Sequence, residues 1–177
     1  GKEKMPLPIR TTVEVIEQVC GYLAKKPTGA TVKEAKTVLD SSHLDGRKLS
    51  ALKFWSLIEE EGEKLKVTAH GRGCVKDDAS KVRELEDIIR RVPAYGAIVE
   101  RVAHRHEDAL TTTEVGAHWH EHFKTDAGES DKVLNDQAVC FFQIAARAGL
   151  GALIMGRKGQ PTRFSFAAEP VAAFVKI

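Results

Sequence analysis

The apolar residues of this chain recur at helical spacing in several runs, and most runs open with a recognisable cap. A capping box formed by Thr11 and Glu14 begins the first run, and the sequence Lys-Lys-Pro is expected to end that helix near residue 26. A second capping box, Thr31 with Glu34, predicts a short helix that ends near residue 40. The apolar members of the first helix are Val13, Ile16, Cys20 and Leu23.

A third helix is predicted from Arg47, because apolar residues then occupy one helical face. Residues 41–46 form a turn before it, although Asp45 could equally cap this helix, and the acidic run 59–62 is expected to end it. Residues 64–70 alternate between apolar and polar, which predicts a half-buried strand. Gly71 and Gly73 predict a turn before a second strand at residues 74 and 75, completing a hairpin. The apolar face of the third helix comprises Leu49, Leu52, Trp55, Leu57 and Ile58.

The second half of the chain repeats this order. Pro93 interrupts an amphipathic helix over 82–92, and a further helix is predicted to continue to about residue 102. A capping box at Thr111 and Glu114 opens the next helix. After a polar turn over 124–129, Ser130 or Asp131 caps a longer helix that the glycines at 149 and 151 end. A turn over 156–159 then joins residues 153–154 and 164–166 into a hairpin.

Each half therefore contains a capped helix, a tight connection, a second apolar helix and a hairpin. A helix-turn-helix followed by a hairpin is the core of a winged helix. The predicted fold is mainly α with small β-hairpin wings (class α+β), arranged as two tandem winged-helix domains. The predicted divisions are an extended lead-in over 1–10, the first domain over 11–78, the second over 79–168 and an apolar C-terminal segment over 169–177, with the polar stretch 76–80 as the boundary.

Composition excludes some classes of protein. The 177 residues are 42% hydrophobic and 29% charged, as in ordinary soluble proteins, and no apolar run approaches the ~20 residues of a membrane helix. The three cysteines, Cys20, Cys74 and Cys140, are widely spaced among apolar neighbours, which favours reduced core thiols in a cytoplasmic protein. The net charge is only +2, so any affinity for DNA must come from local placement of basic residues.

Three runs carry a resemblance to known proteins. The sequence LSALKFWSLIE (49–59) followed by KVTAHG (66–71) resembles the recognition-helix and wing signature common in prokaryotic winged helices. The whole layout, with DQAVCFF over 136–142, is similar to a family of bacterial and archaeal tandem winged-helix proteins of unassigned function. The resemblance covers most of residues 11–166. It implies the fold, and it implies no catalytic residue and no cofactor.

A winged helix places the second helix of its helix-turn-helix in the major groove and its wing on phosphates. The acidic run 59–63 beside the first wing opposes phosphate contact, as do Asp131 and Asp136 on the second recognition helix. The candidate base readers of the first domain are Arg47, Lys48, Ser50 and Lys53, with Lys33 and Lys36 on the preceding helix for the DNA backbone. The second domain offers Lys132, Asn135 and Gln137 for bases, and Arg157, Lys158 and Arg163 on its wing for phosphates.

The histidines form one further constellation, since five of the seven fall between residues 104 and 122. His118 and His122 are four residues apart on one helical face, which is the spacing of a metal-binding pair. The sequence lacks the His-Glu-x-x-His order of a zinc hydrolase and has no cysteine nearby. We therefore expect no metal cofactor, with these two as the only candidates, and no enzymatic activity.

The leading functional hypothesis is duplex-DNA binding, with recognition helices in the major groove and the basic second wing on phosphates. The alternative is a protein–protein docking module or a subunit of a larger assembly that does not bind DNA. Near-zero net charge, the acidic first wing and the apolar C-terminal segment favour the alternative. Under either hypothesis we expect a homodimer, formed through the helices near 81–92 or 130–147.

Overall fold

The computed structural model describes residues Met5–Lys176, and these form a mainly helical protein with two small antiparallel sheets of three strands each. No helix in this range is long and apolar enough to cross a membrane. The first half contains α1 (Val13–Ala24), β1 (Ala30–Thr31), α2 (Val32–Ala35), a turn of 3-10 helix (Ser41–Leu44), α3 (Gly46–Phe54), β2 (Ile58–Glu61) and β3 (Lys64–Val67). Two helices follow, α4 (Ala69–Lys76) and α5 (Asp78–Arg91). The second half contains α6 (Pro93–Arg105), β4 (Ala109–Thr111), α7 (Thr112–His122), α8 (Asp131–Arg147), β5 (Gly151–Ile154), β6 (Arg163–Phe166) and α9 (Ala168–Lys176).

Both sheets have the same strand order, with the last strand in the middle. The first sheet is ordered β1–β3–β2, with Ala30 and Glu60 on either side of Leu65. The second is ordered β4–β6–β5, with Leu110 and Leu153 on either side of Phe164. Leu65 and Phe164 are buried, so each central strand anchors its sheet to the core.

Two of the three predicted capping boxes are confirmed. The Thr31 hydroxyl accepts a hydrogen bond from the Glu34 amide at 3.1 Å, and Thr111 does the same for Glu114 at 3.1 Å. The box at Thr11 is wrong: Thr12 caps α1, and its hydroxyl accepts from the Val15 amide. Thr11 is buried instead, because its carbonyl accepts a 2.8 Å hydrogen bond from Gln143 Nε2 on α8.

The third helix is shorter than predicted. Asp45 caps α3, in agreement with the second of the two interpretations, but the helix ends at Phe54. Ser56 has a φ of +61°, which turns the chain out of the helix. Leu57 then leads into β2, which consists of Ile58 and the acidic residues 59–61. A short buried apolar run fits a helix or a strand equally well, which is why the pattern misled.

The first hairpin is also displaced from its predicted position. Strands β2 and β3 form it, joined by Gly62 and Glu63, whereas Gly71 and Gly73 lie inside helix α4. A Cβ atom on Gly71 would lie 2.2 Å from the Leu57 carbonyl oxygen. This glycine therefore allows close packing of a helix and does not form a turn.

The core is continuous across the predicted boundary at 76–80. Asp77 caps α5 by accepting from the Ser80 amide at 2.7 Å, and α4 packs along α5. Farther in, Trp55 Nε1 donates to the Tyr95 hydroxyl at 3.4 Å, and the Tyr95 ring stacks 4.8 Å from that of Phe141. Side chains from both halves thus belong to one cluster of buried residues.

In the two long helices where the dimer contact is predicted, most apolar side chains pack within the chain. The apolar side chains of α5, including Leu85 and Ile88, are buried, and α5 contacts α8 within the same chain. The three cysteines are likewise buried as free thiols, and burial raises the pKa of Cys74 and Cys140 to about 12.

Both chain ends pack on this core as far as they are described. Of the predicted lead-in, residues 1–4 lie outside the described range, and residues 5–10 run between α3 and α8. The Leu7 amide donates to the Asp126 carbonyl at 3.2 Å. The predicted apolar segment forms α9, whose Val171 and Phe174 are buried, while Ile177 lies outside the described range.

Because Leu7 is 2% exposed, replacing it by alanine leaves a cavity between the N-terminal segment and the core. We expect Leu7→Ala to lower the free energy of unfolding by about 3 kcal/mol, measured by urea denaturation. Met5→Ala is the matched control, since Met5 is 44% exposed. If both variants unfold at the same urea concentration, the segment does not pack on the core.

Candidate nucleic-acid interface

The second hairpin ends in a tight turn that presents basic side chains. The Gln160 amide donates to the Arg157 carbonyl at 3.0 Å, which closes a four-residue turn. Its central residues, Lys158 and Gly159, have φ values of +50° and +82°, the pattern of a type I′ turn. The Gly156 amide donates to Thr162 Oγ1 at 3.0 Å and ties the two sides of the loop together.

The basic side chains of this hairpin have no charged partner within the described residues. Arg157 and Lys158 are exposed and Arg163 is half-buried, and none of the three has an ion-pair partner among residues 5–176. The first hairpin differs, because Lys66 pairs with Glu61 at 2.6 Å and Lys53 pairs with Glu60. The two hairpins therefore carry opposite charge, and only the second attracts anions.

On α3, the four predicted base readers are not equivalent. Arg47 and Ser50 are exposed at the start of the helix. Lys48 Nζ donates to the Ser42 carbonyl at 2.6 Å and to Asp45 at 3.1 Å, and Lys53 is paired with Glu60. Lys33 on α2 and Lys36 just after it are exposed, with no ion-pair partner in the described part of the chain. Arg47 and Ser50 are thus the available pair on α3.

On α8, Lys132 and Asn135 are exposed, whereas Gln137 is only 1% exposed. Gln137 Oε1 accepts from the Gly128 amide at 2.9 Å, and its Nε2 donates to the Leu7 carbonyl at 3.4 Å. The prediction that Gln137 reads bases is therefore wrong, since both ends of its amide hold neighbouring backbone in place.

Sequence reasoning missed Arg10. Its guanidinium Nε lies 3.5 Å from the Asp136 carboxylate on α8, and its side chain borders a groove formed with residues 45–48 at the start of α3. Arg10 thereby offsets one of the two acidic residues that were expected to repel phosphate. Nothing in the local pattern signalled this contact, because the two residues are distant in sequence.

The two histidines predicted as metal candidates are neighbours in space. The rings of His118 and His122 are 4.7 Å apart, and His118 Nδ1 is 3.4 Å from Arg101 Nη1. Burial lowers the pKa of His118, and the charges of His122 and Arg101 lower it further. Within the described residues, neither histidine belongs to a group of three metal-ligating side chains; such a group lies on α4 and α5.

No protein-family model matches this chain, and no curated protein or solved structure is significantly similar to it.

The low pKa of His118 predicts a pH dependence of stability. A histidine whose pKa is lower in the folded chain binds its proton more tightly when unfolded, so stability falls as the pH drops through the ordinary histidine range, from about 7.5 to about 5.5. We expect His118→Gln to reduce the decrease in the urea midpoint between these two pH values. His120→Gln, at an exposed position of the same helix, serves as the control. If the urea midpoint of His118→Gln decreases between these pH values as much as that of the parent chain, other groups cause the pH dependence.

Proposed function

We propose that this chain is a cytoplasmic, tandem winged-helix protein that binds duplex DNA chiefly through its second half. The repeated order helix, strand, helix, helix, strand, strand supports the winged-helix assignment. The placement of the last strand in the middle of each sheet supports it further. In this assignment α3 and α8 are the recognition helices, and the β2–β3 and β5–β6 hairpins are the wings.

The observation that carries the proposal is the free basic turn of the second wing. A lysine in the left-handed region costs about 1–2 kcal/mol relative to an ordinary backbone conformation, and asparagine or glycine usually occupies this position in a type I′ turn. Lys158 occupies it, beside Arg157 and near Arg163. Backbone strain is commonly retained where a side chain has a function, and here that function is phosphate binding.

The start of α8 supplies the second element of the proposed interface. Lys132 and Asn135 are exposed within the first two turns of this helix, where a recognition helix meets base edges. An asparagine amide can donate to and accept from adenine in the major groove. Asp131 limits the contact, since its carboxylate repels phosphate.

The first half makes a smaller contribution in this proposal. Its wing contains exposed glutamates, and two of these are already paired with Lys66 of the wing and Lys53 of α3. Arg47 and Ser50 remain available for DNA, and Arg10 beside them is paired with Asp136. We therefore place the phosphate contacts mainly on the second wing and treat α3 as an accessory contact.

The first experiment is fluorescence anisotropy of the full chain with a labelled random duplex of about 25 base pairs, at low and at physiological salt. We expect binding that weakens steeply with salt. The variant Arg157→Ala/Lys158→Ala should bind at least about tenfold more weakly, and the slope of log affinity against log salt should decrease by about 2, one counterion for each lost phosphate contact.

The matched control is Lys25→Ala/Lys26→Ala, which removes two exposed positive charges just after α1, away from the hairpin turn. Its affinity should fall much less than that of the hairpin variant. Equal losses would mean that bulk charge and not the wing binds DNA, and no binding even at low salt would reject the proposal.

A second variant separates DNA contact from folding. Lys158→Asn keeps a side chain that favours the turn, so we expect the free energy of unfolding to stay the same or rise by up to about 1 kcal/mol. The DNA affinity should nevertheless decrease, because one phosphate contact is lost. The two quantities are measured by urea denaturation and by anisotropy, and a variant that keeps full affinity would remove Lys158 from the interface.

One observation favours the alternative function, a docking module or subunit that does not bind DNA. A groove of about 400 Å³ lies between α6 and α9, and its lining includes Val102, Phe166 and the partly exposed Val175. Self-association that is insensitive to salt in sedimentation velocity, together with no DNA binding, would support this alternative and a homodimer.

A further inference from the structure

Three side chains with metal-ligating atoms converge between α4 and α5, remote in sequence from the histidines at 104–122. His70 Nδ1 lies 2.9 Å from Glu84 Oε2 and 3.8 Å from Asp87 Oδ2. One ligand atom from each residue can be chosen so that all three lie within 4.8 Å of one another. Glu84 and Asp87 are three residues apart on α5, so they share one face of that helix.

We propose that His70, Glu84 and Asp87 form a binding site for a divalent transition-metal ion of the zinc class. Tetrahedral ligands at the usual zinc distances are separated by about 3.3 Å from one another. The separations of His70 Nδ1 from the two carboxylates, 2.9 and 3.8 Å, lie on either side of that value, and all three ligand atoms lie within 4.8 Å of one another. Three protein ligands leave the fourth position to water. An imidazole nitrogen with two carboxylates favours zinc over magnesium or calcium, which prefer oxygen ligands alone.

A glycine in α4 makes room for the Glu84 carboxylate. A Cβ atom on Gly73 would lie 2.6 Å from Glu84 Oε1 and 2.8 Å from its Cγ. Glycine inside a helix costs about 1 kcal/mol relative to alanine, and here it permits the carboxylate to lie directly against the α4 backbone. This contact holds Glu84 beside His70, one turn away on α4. The position of the carboxylate is therefore determined by the backbone of both helices.

Arg91 orients one carboxylate of the site and lowers the affinity of the site for a cation. Its Nε donates to Asp87 Oδ2 at 2.6 Å, which holds the carboxylate toward His70. The guanidinium charge also competes with a bound cation. We therefore expect weaker binding than at a structural site with four protein ligands. The ion would connect α4 to α5 and thereby stabilise the packing of these helices, since binding to the folded state alone adds to the free energy of unfolding.

The test is isothermal titration calorimetry of the metal-free full chain with zinc chloride. We expect saturable binding of one zinc ion and none of magnesium under the same conditions. His70→Gln and Glu84→Gln should each weaken zinc binding by at least about tenfold. The matched control is His118→Gln/His122→Gln, which removes the other pair of adjacent imidazoles and should leave the affinity unchanged.

Thermal unfolding provides a second readout. Zinc should raise the midpoint temperature of the parent chain and of the control, but not that of His70→Gln, whose own midpoint without zinc shows whether it is folded. The absence of saturable binding to the parent chain would overturn the proposal. Unchanged affinity in His70→Gln, or loss of binding only in the control, would overturn it as well.

Discussion

A buried aromatic cluster joins the two halves of this protein and determines how their helices pack together. Trp55 at the end of α3 donates its indole N–H to the hydroxyl of Tyr95 on α6. The Tyr95 ring packs against Phe141 on α8 and lies 6.1 Å from Trp119 on α7. Burial raises the pKa of Tyr95 well above its ordinary value, so the hydroxyl stays protonated and able to accept from Trp55. Helices from both halves of the chain therefore pack around this one cluster.

This packing determines what α3 and α8 expose. The N-terminal segment lies between α3 and α8, and its contacts occupy Gln137 while Arg10 reaches Asp136. Arg47 and Ser50 of α3 and Lys132 and Asn135 of α8 stay exposed, as do Arg157 and Lys158 of the basic hairpin. This packing is the reason for the proposal that the second half makes most of the DNA contacts.

The proposed metal site lies away from the histidines that sequence spacing singles out. His118 and His122 have the spacing of a ligand pair, and the Arg101 guanidinium lies 3.4 Å from His118. His70 is four residues from Cys74, but that thiol is buried, and the two carboxylates near His70 are on the next helix, brought close by the packing of α4 on α5. Gly73 and Glu84 are eleven residues apart in the sequence, and only the folded structure shows that they are in contact.

The sequence by itself determined the features that depend on neighbouring residues: the capping boxes at Thr31 and Thr111, the helix break at Pro93, and a basic turn that is predicted over 156–159 and lies at 157–160. These follow from hydrogen bonds and dihedral preferences within a few residues. Tertiary structure decided the end of α3, the helix at 69–76, the burial of Thr11 and Gln137, and the convergence of His70 with Glu84. In those places a short apolar run, a glycine or a polar side chain fits several local structures, and contacts between distant segments select one of them.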